Sequence, residues 1–314
     1  MTPRFRHDAW TAASLAQAKG ALAISLVIPA KDEATTITPI VTGLRESLVE
    51  DVPLVDELVV IDSDSTDDTA ARARAAGAVV HAAADIRPDL GPARGKGEAL
   101  WKSLLVTRGD VLVFVDADLL DWGPHFVVGL LGPVLTDPTV QLVKAVYDRP
   151  MVDAQGHEEE AGGRVTELVA RPLLALHRPQ LADVVQPLSG EWAIRRRAFE
   201  SFSVPTGYGV EIGALLDVEA SYGPAAIAQV DLGRRTHRHH RHDALGQMAL
   251  QVMAAAERRV GSRGAGWRGV TEDGSVRLRQ FAGRASGFEA RDSQVAVTER
   301  PPARDVAAPR GERR

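Results

Sequence analysis

Short runs of aliphatic and β-branched residues recur through the first half of the chain, and a stretch with helical spacing follows almost every one. Ile24–Ile28, Leu54–Ile61, Ala78–Ala82, Val111–Val115 and Val140–Tyr147 read as strands. Thr35–Val49 places Ile37, Ile40, Val41, Leu44 and Leu48 on one helical face. Thr66–Ala76, which ends at Gly77 as a C-cap, Gly97–Val106 and Phe126–Leu135 complete the helices. A strand that is apolar at every position is buried on both faces. The alternation therefore predicts an α/β fold with a mostly parallel sheet covered on both sides. In such sheets ligands gather beyond the carboxyl ends of the strands, and there the polar motifs of this sequence fall.

The second half is less regular. Arg164–Leu176 and Leu245–Val260 read as helices and Ala225–Val230 as a strand. Four spans result: an N-terminal arm over 1–20, a regular strand–helix part over 21–150, a less regular part over 151–262, and a C-terminal extension over 263–314. Beyond Arg263 periodicity is weak, and three prolines among many charges over Thr298–Arg314 predict a disordered end.

Composition narrows the function. The chain has 314 residues, 45% of them hydrophobic, and a net charge of −5, which argues against a polyanion binder. It lacks cysteine, which excludes disulfides, thiolate zinc sites and cysteine nucleophiles and fits a reducing cytoplasm. The stretch Ala21–Ala30 is too short to span a bilayer and contains Pro29, so no transmembrane segment is expected.

Four motifs carry chemistry. Val111–Val115 runs into Asp116-Ala117-Asp118, two carboxylates at a strand end that can hold a divalent cation against a diphosphate. As an isolated pair, they read equally as a helix cap and a solvated side chain. Ile28-Pro29-Ala30-Lys31-Asp32-Glu33 closes the first strand, with Asp32 or Glu33 placed to meet a ribose or base edge. Asp62-Ser63-Asp64-Ser65-Thr66-Asp67-Asp68 follows another strand; Ser65 and Thr66 are good caps, and the excess of acids suggests ligand contacts. Gly95-Lys96-Gly97-Glu98 opens a helix, where paired glycines can bring backbone to a phosphate beside the Lys96 ammonium.

In this order the motifs resemble those of GT-A, Rossmann-like glycosyltransferases. The second half narrows the resemblance: Gly162-Gly163-Arg164-Val165-Thr166-Glu167-Leu168, Arg171-Pro172-Leu173-Leu174, Gln186-Pro187-Leu188-Ser189-Gly190-Glu191, Thr206-Gly207-Tyr208-Gly209-Val210-Glu211-Ile212-Gly213 and Ala226–Gly233 ahead of His237. This series is similar to the glucosyl-3-phosphoglycerate synthase family of actinobacteria, over residues 20–260. The resemblance implies a retaining transferase that moves glucose from UDP-glucose to the 2-hydroxyl of 3-phospho-D-glycerate. It implies Mg2+, or Mn2+ or Co2+, as cofactor, a homodimer, and a product leading to glucosylglycerate and methylglucose lipopolysaccharides.

Residue by residue, the resemblance implies that Pro29, Ala30, Glu33 and Ser63 hold the uridine. Lys96 meets the diphosphate and Asp116 the ribose side of the donor. Asp118 and His237 ligate the metal. Glu211 holds glucose hydroxyls with Tyr208 nearby, and the Leu188 carbonyl faces the anomeric carbon. Gly163, Arg164 and Thr166 bind the acceptor's phosphate and carboxylate, which suits exposed N–H groups, a guanidinium fork and a hydroxyl at a helix start. Arg235 supports the charged donor–acceptor region. His239 stands where the family resemblance implies an asparagine touching the acceptor.

Other readings stay open. A GDP-mannose-dependent mannosyl-3-phosphoglycerate synthase would share the acceptor. Glu211 as a covalent nucleophile competes with same-face attack. The run Arg234–His242 is rich in Arg and His and, taken alone, suits a zinc or nucleic-acid contact, although no aromatic interleaving accompanies it and no nucleic-acid partner is expected.

Overall fold

A computed structural model describes residues 2–148, 151–152, 158–159, 163–234, 242–261, 269–284 and 287–306. Its strands are β1 (Arg4–Arg6), β2 (Ile24–Ala30), β3 (Glu57–Asp62), β4 (Val79–Ala82), β5 (Val111–Phe114), β6 (Leu142–Asp148), β7 (Met151–Val152), β8 (Glu158–Glu159), β9 (Trp192–Arg195), β10 (Val204–Pro205), β11 (Ile227–Arg234), β12 (Ser275–Arg284), β13 (Gly287–Ala296) and β14 (Glu299–Arg300). The helices are α1 (Ala12–Ala18), α2 (Ile37–Arg45), α3 (Thr69–Ala75), α4 (Lys96–Val106), α5 (His125–Thr136), α6 (Arg171–His177), α7 (Arg196–Phe199), α8 (Val210–Tyr222) and α9 (His242–Val260).

Eight strands form the central sheet in the order β1-β11-β6-β9-β5-β2-β3-β4. Every neighbouring pair is parallel except β5–β9 and β6–β9. The sheet is thus parallel with one reversed strand, as the alternating pattern predicts apart from β9. Its strands come from the arm, from 21–150 and from 151–262, so those spans share one sheet. Side chains alternate between two cores. Leu26, Ile28, Val60 and Val113 pack with α2 and α5, through Ile40, Leu44, Phe126 and Leu130. Val27, Ile61, Leu112 and Phe114 pack on the other face with Trp101 of α4, Phe199 of α7 and Leu215 of α8. Burial on both faces explains why these strands read as unbroken apolar runs.

Three features were not visible in the sequence pattern. The arm supplies β1, which pairs with β11. The four-residue strand β9 was unmarked because Trp192-Ala193-Ile194-Arg195 is too short to show a period. Beyond Arg263 the chain forms an antiparallel pair of ten-residue strands, β12 and β13.

The expectation of a disordered end is corrected for Thr298–Val306. There β14 pairs with β10, Val204 opposite Arg300 and Pro205 opposite Glu299. Trp101 Nε1 donates to the Pro301 carbonyl at 2.8 Å. Arg300, one of the charges that suggested solvation, is docked against the buried carboxylate of Glu98. Residues 307–314 lie outside the described residues. Among the described residues no helix is long and apolar enough to cross a membrane.

The glycine pair of Gly95-Lys96-Gly97 does a different job from the one expected. Gly97 N–H donates to the Gly207 carbonyl at 3.3 Å, and Glu98 N–H to the Thr206 carbonyl at 2.8 Å. A Cβ on Gly97 would lie 1.8 Å from the Pro205 oxygen, and one on Gly95 would lie 2.6 Å from the Thr206 oxygen. The glycines therefore let the start of α4 press against the backbone of 205–207, and these N–H groups are spent there rather than on a phosphate. Gly97→Ala should cost at least about 2 kcal/mol, because the obstacle is backbone and cannot rotate away. Thermal melting checks this; an unchanged Tm would show that the contact is loose.

Candidate active site

The parallel strands present their carboxyl ends at one edge of the sheet, where ligands bind in open α/β folds. Because β9 runs the other way, its N-terminal flank arrives at that edge. The topology thus carries Gln186–Glu191 to the carboxyl ends of β5 and β6, although nothing in the local pattern of that segment says so.

The loops after β2 and β3 are tied to each other. Asp32, in the left-handed region at φ 55°, accepts from Thr66 N–H at 2.7 Å. Glu33 N–H donates to Thr69 Oγ1 at 2.7 Å and Ala34 N–H to Asp67 Oδ2 at 3.1 Å. Of the two acids expected at a ribose or base edge, Asp32 is engaged by the neighbouring loop; of the acids after β3, Asp62 and Asp67 accept from backbone N–H groups. Neither Ser65 nor Thr66 caps α3: its N-cap is Asp68, whose side chain makes no capping hydrogen bond, and Asp67 accepts from Thr69 N–H at 3.0 Å.

Above this knot lies a cleft of about 480 Å³. Its lining brings together Pro29, Ala30, Glu33, Ser63, Lys96, Asp116, Asp118 and Tyr208. These are the residues expected to hold the uridine, ribose side and diphosphate, with Tyr208 and with Asp118 of the metal pair; Glu211 is not in the lining. Lys31, Asp64 and Arg94 line it as well.

At the floor, Lys96 Nζ lies 2.6 Å from Asp116 Oδ1 and 2.9 Å from Glu211 Oε1. Three elements meet in this contact: the start of α4, the end of β5 and the first turn of α8. The helix N-terminus favours the Glu211 carboxylate. Glu211 is 5% exposed, and a buried carboxylate needs such a partner. Burial pulls the Lys96 ammonium down, but Asp116 and Glu211 outweigh it and hold the group above the ordinary lysine range. Gly190 closes the floor. A Cβ there would lie 2.2 Å from Asp116 Oδ2 and 2.8 Å from Lys96 Nζ. Leu188 lies two residues earlier in the same loop, outside the lining of the cleft.

Beneath the loop lies a residue that the sequence reading missed. Lys144, in the middle of β6, is 1% exposed. Its Nζ donates to the Ser189 carbonyl at 2.9 Å and stands 5.6 Å from the centre of the Trp192 ring. The available signal was a single lysine inside the apolar run Leu142-Val143-Lys144-Ala145-Val146. Glu191, wholly buried, is beside it in the same charge cluster.

Gly163, Arg164 and Thr166 lie together at the start of the helical stretch that leads into α6, outside the cleft lining. Gly163 has φ 86°, and its carbonyl accepts from Glu167 N–H at 2.9 Å. Arg171, one turn after Glu167, donates to the Val185 carbonyl at 2.7 Å and so ties this helix to the 186–190 loop. Arg235, His237 and His239 lie outside the described residues. Among the described residues no group of three or more His, Asp or Glu side chains forms a metal cluster. The donor set nevertheless suits Mg2+, which is typically held by one or two carboxylates plus substrate phosphates, and Asp118 opens onto the cleft where a phosphate would lie.

Lys144 makes the stability pH-dependent. Burial pulls its ammonium down to about 7, opposed by Glu211, Glu191 and Asp116 and reinforced by Lys96. Between about pH 7 and the ordinary lysine value of 10.5, the unfolded chain keeps a proton here that the folded chain has released. Stability from this group therefore rises with pH through that window. Wild type should gain on Lys144→Met steadily from pH 7 upward in urea unfolding; a constant difference between the two would contradict the assignment.

Comparison with known proteins agrees with this geometry. Residues 25–201 match Glycosyl transferase family 2. The glucosyl-3-phosphoglycerate synthase of Mycolicibacterium smegmatis is 45% identical over 298 residues, covering 95% of this chain and 94% of that one. The glucosyl-3-phosphoglycerate synthase of Mycobacterium tuberculosis in complex with Mg2+ and UDP superimposes with a TM-score of 0.84 at 42% identity, over 96% of this chain and 98% of that one. The same enzyme in complex with Mn2+, UDP-glucose and phosphoglyceric acid gives 0.83 at 43% identity, again over 96% and 98%. With a GT-A-type sheet, a nucleotide-sized cleft and relatives matched along nearly their whole length, the chain belongs to glycosyl transferase family 2 and, within it, to the glucosyl-3-phosphoglycerate synthase family.

Proposed function

We propose that the chain is a metal-dependent, retaining hexosyltransferase that moves glucose from UDP-glucose to the 2-hydroxyl of 3-phospho-D-glycerate. One observation carries this reading: the cleft ends on the Lys96 ammonium, gripped by carboxylates from β5 and α8. A diphosphate arriving there meets a fixed positive charge at a helix start. The near-complete match to an enzyme crystallised with UDP-glucose and phosphoglyceric acid supports the same donor and acceptor.

In this reading Pro29, Ala30, Glu33 and Ser63 hold the uridine, and Asp116 meets the ribose side. Tyr208 flanks the sugar, and Glu211 accepts from its hydroxyls. Gly163, Arg164 and Thr166 receive the acceptor's phosphate and carboxylate, with His239 in the asparagine position. Mg2+ or a similar divalent cation, bound by Asp118 and His237, supplies positive charge to the leaving diphosphate. The bond from the anomeric carbon to the β-phosphate oxygen breaks, and its electron pair stays with UDP. Lys96 and Arg235 balance that charge. The same phosphate oxygen takes the proton of the acceptor hydroxyl, whose oxygen bonds the anomeric carbon on the face that UDP leaves. The Leu188 carbonyl steadies positive charge on that carbon. Same-face attack is favoured over a Glu211 nucleophile because Lys96 already engages Glu211 Oε1 at 2.9 Å. We also infer a cytoplasmic homodimer; Leu168 and Leu176, 77% and 76% exposed on one helical stretch, offer apolar surface for self-association.

A donor–acceptor matrix tests the reading. UDP-glucose with 3-phosphoglycerate and Mg2+ should turn over, stop on chelation, and give a product of unchanged anomeric configuration by NMR. Preference for GDP-mannose, or for an acceptor without phosphate, would replace it. Arg164→Ala should raise the acceptor KM by about ten- to a hundredfold, the worth of a charged hydrogen bond, and leave the donor KM in place. The reverse pattern in two-substrate kinetics would move Arg164 to the donor side.

A further inference from the structure

The wall of the cleft opposite the acidic strand end is a loop, Pro88–Gly95, with little structure of its own. It has one 3-10 turn, Pro88–Leu90, and positive-φ glycines at Gly91 and Gly95, with φ of 74° and 122°, and Arg87 just before it has φ 49°. Gly91, Pro92, Ala93 and Arg94 form part of the cleft lining. Two carbonyls of this loop are taken by one side chain from the far end of the chain. Arg300 Nη1 donates to the Leu90 carbonyl and Nη2 to the Gly91 carbonyl, each at 2.8 Å.

The same guanidinium grips Glu98. Nε lies 2.8 Å from Oε2 and Nη2 lies 2.8 Å from Oε1, a two-pronged pair at the first turn of α4. The Arg300 side chain is 11% exposed and that of Glu98 2%. The guanidinium carbon stands 5.5 Å from the centre of the Trp101 ring. Glu98 also holds Lys102 at 3.3 Å, and Lys102 donates to the Ala83 carbonyl on the same side of the cleft. A planar fork can satisfy a carboxylate and two carbonyls at once, which a lysine point charge cannot.

We propose that Arg300 is a positioning residue for the donor site. It fixes the 88–95 wall to the start of α4, and so sets the width of the cleft above Lys96, without lining the cleft itself. The strand pairing of β14 with β10 delivers it, next to the Pro205–Gly207 segment that packs against Gly95 and Gly97. The proposal rests on the reading of this cleft as the nucleotide-sugar site.

The test is UDP binding by calorimetry and two-substrate kinetics on wild type, Arg300→Met and Arg300→Lys, with melting curves for each. Arg300→Met keeps cover over Trp101 and removes the fork. It should weaken UDP binding and raise the UDP-glucose KM at least about tenfold, while the 3-phosphoglycerate KM moves by less than about twofold. Arg300→Lys, which retains the charge on Glu98, should fall between the two. A folded Arg300→Met protein with wild-type donor affinity, or equal losses for donor and acceptor, would make Arg300 a stability residue only and overturn the proposal. If Arg300→Met does not fold, the lysine variant decides: wild-type UDP affinity in it rejects the role. Wild type that fails to bind UDP would instead reject the reading of the cleft.

Discussion

The ammonium of Lys96 is the joint on which the site depends. Taking one lysine and two carboxylates out of water costs several kcal/mol per ion unless each is paired. Lys96, Asp116 and Glu211 satisfy one another only while α4, β5 and α8 keep their relative positions. The same arithmetic governs ligand binding. Asp116, Glu191 and Glu211 all act on Lys96 and Lys144, so the floor carries more negative than positive charge. A nucleoside diphosphate brings further negative charge to that floor. Its approach becomes favourable when more positive charge comes with it, which is the electrostatic reason for a divalent cation here rather than a second lysine.

Two backbone features keep that joint in register. Gly95 and Gly97 allow the start of α4 to lie directly on residues 205–207, and Gly190 leaves room for Lys96 and Asp116 to meet. The reversal of β9 supplies the remaining piece. A strand running with the others would send 186–190 to the far edge of the sheet. Reversed, it lays the segment carrying Leu188 against the floor, and the buried Lys144 holds the Ser189 carbonyl from below. The proposed stabilisation of charge at the anomeric carbon thus depends on a strand direction.

What the sequence reveals follows from how local each signal is. Buried parallel strands advertise themselves as continuous apolar runs, so β2, β3, β5, β6 and their helices were legible, as was the Asp116-Ala117-Asp118 strand end. The grouping of Pro29, Glu33, Ser63 and Asp116 was legible because each terminates or follows such a run, whereas Lys96, which opens a helix, joined them through the family resemblance. The partners of those residues were not. That Asp32 serves Thr66, that Gly97 serves Gly207 and that Lys96 pairs with Glu211 are consequences of packing between segments far apart in the chain. The C-terminal segment misled for the same reason. Arg300 and two prolines resemble a solvated tail until Glu98 is placed opposite, and no window of sequence contains both.

That separation bears on where specificity resides. The match to Glycosyl transferase family 2 stops at residue 201. Tyr208 and Glu211 lie beyond it, as do the 205–207 segment under α4 and the β14 strap. A nucleotide-binding sheet of this kind can present a diphosphate site from its own strand ends, because helix starts and acidic turns are generic. Narrowing that site to one sugar requires walls whose positions the sheet does not set. Here the floor is completed by α8 and the outer wall is tied down by a residue about two hundred positions away in sequence, through contacts of 2.8 Å to two carbonyls and a carboxylate. Binding energy from such a remote tether does not act on the reacting atoms. It acts by removing alternative wall positions before the donor arrives, so less ordering remains to be done on binding. On this argument the family domain supplies the strand ends that receive the nucleotide, and the residues after 201 complete the proposed site through Glu211 and determine how rigidly the donor is held.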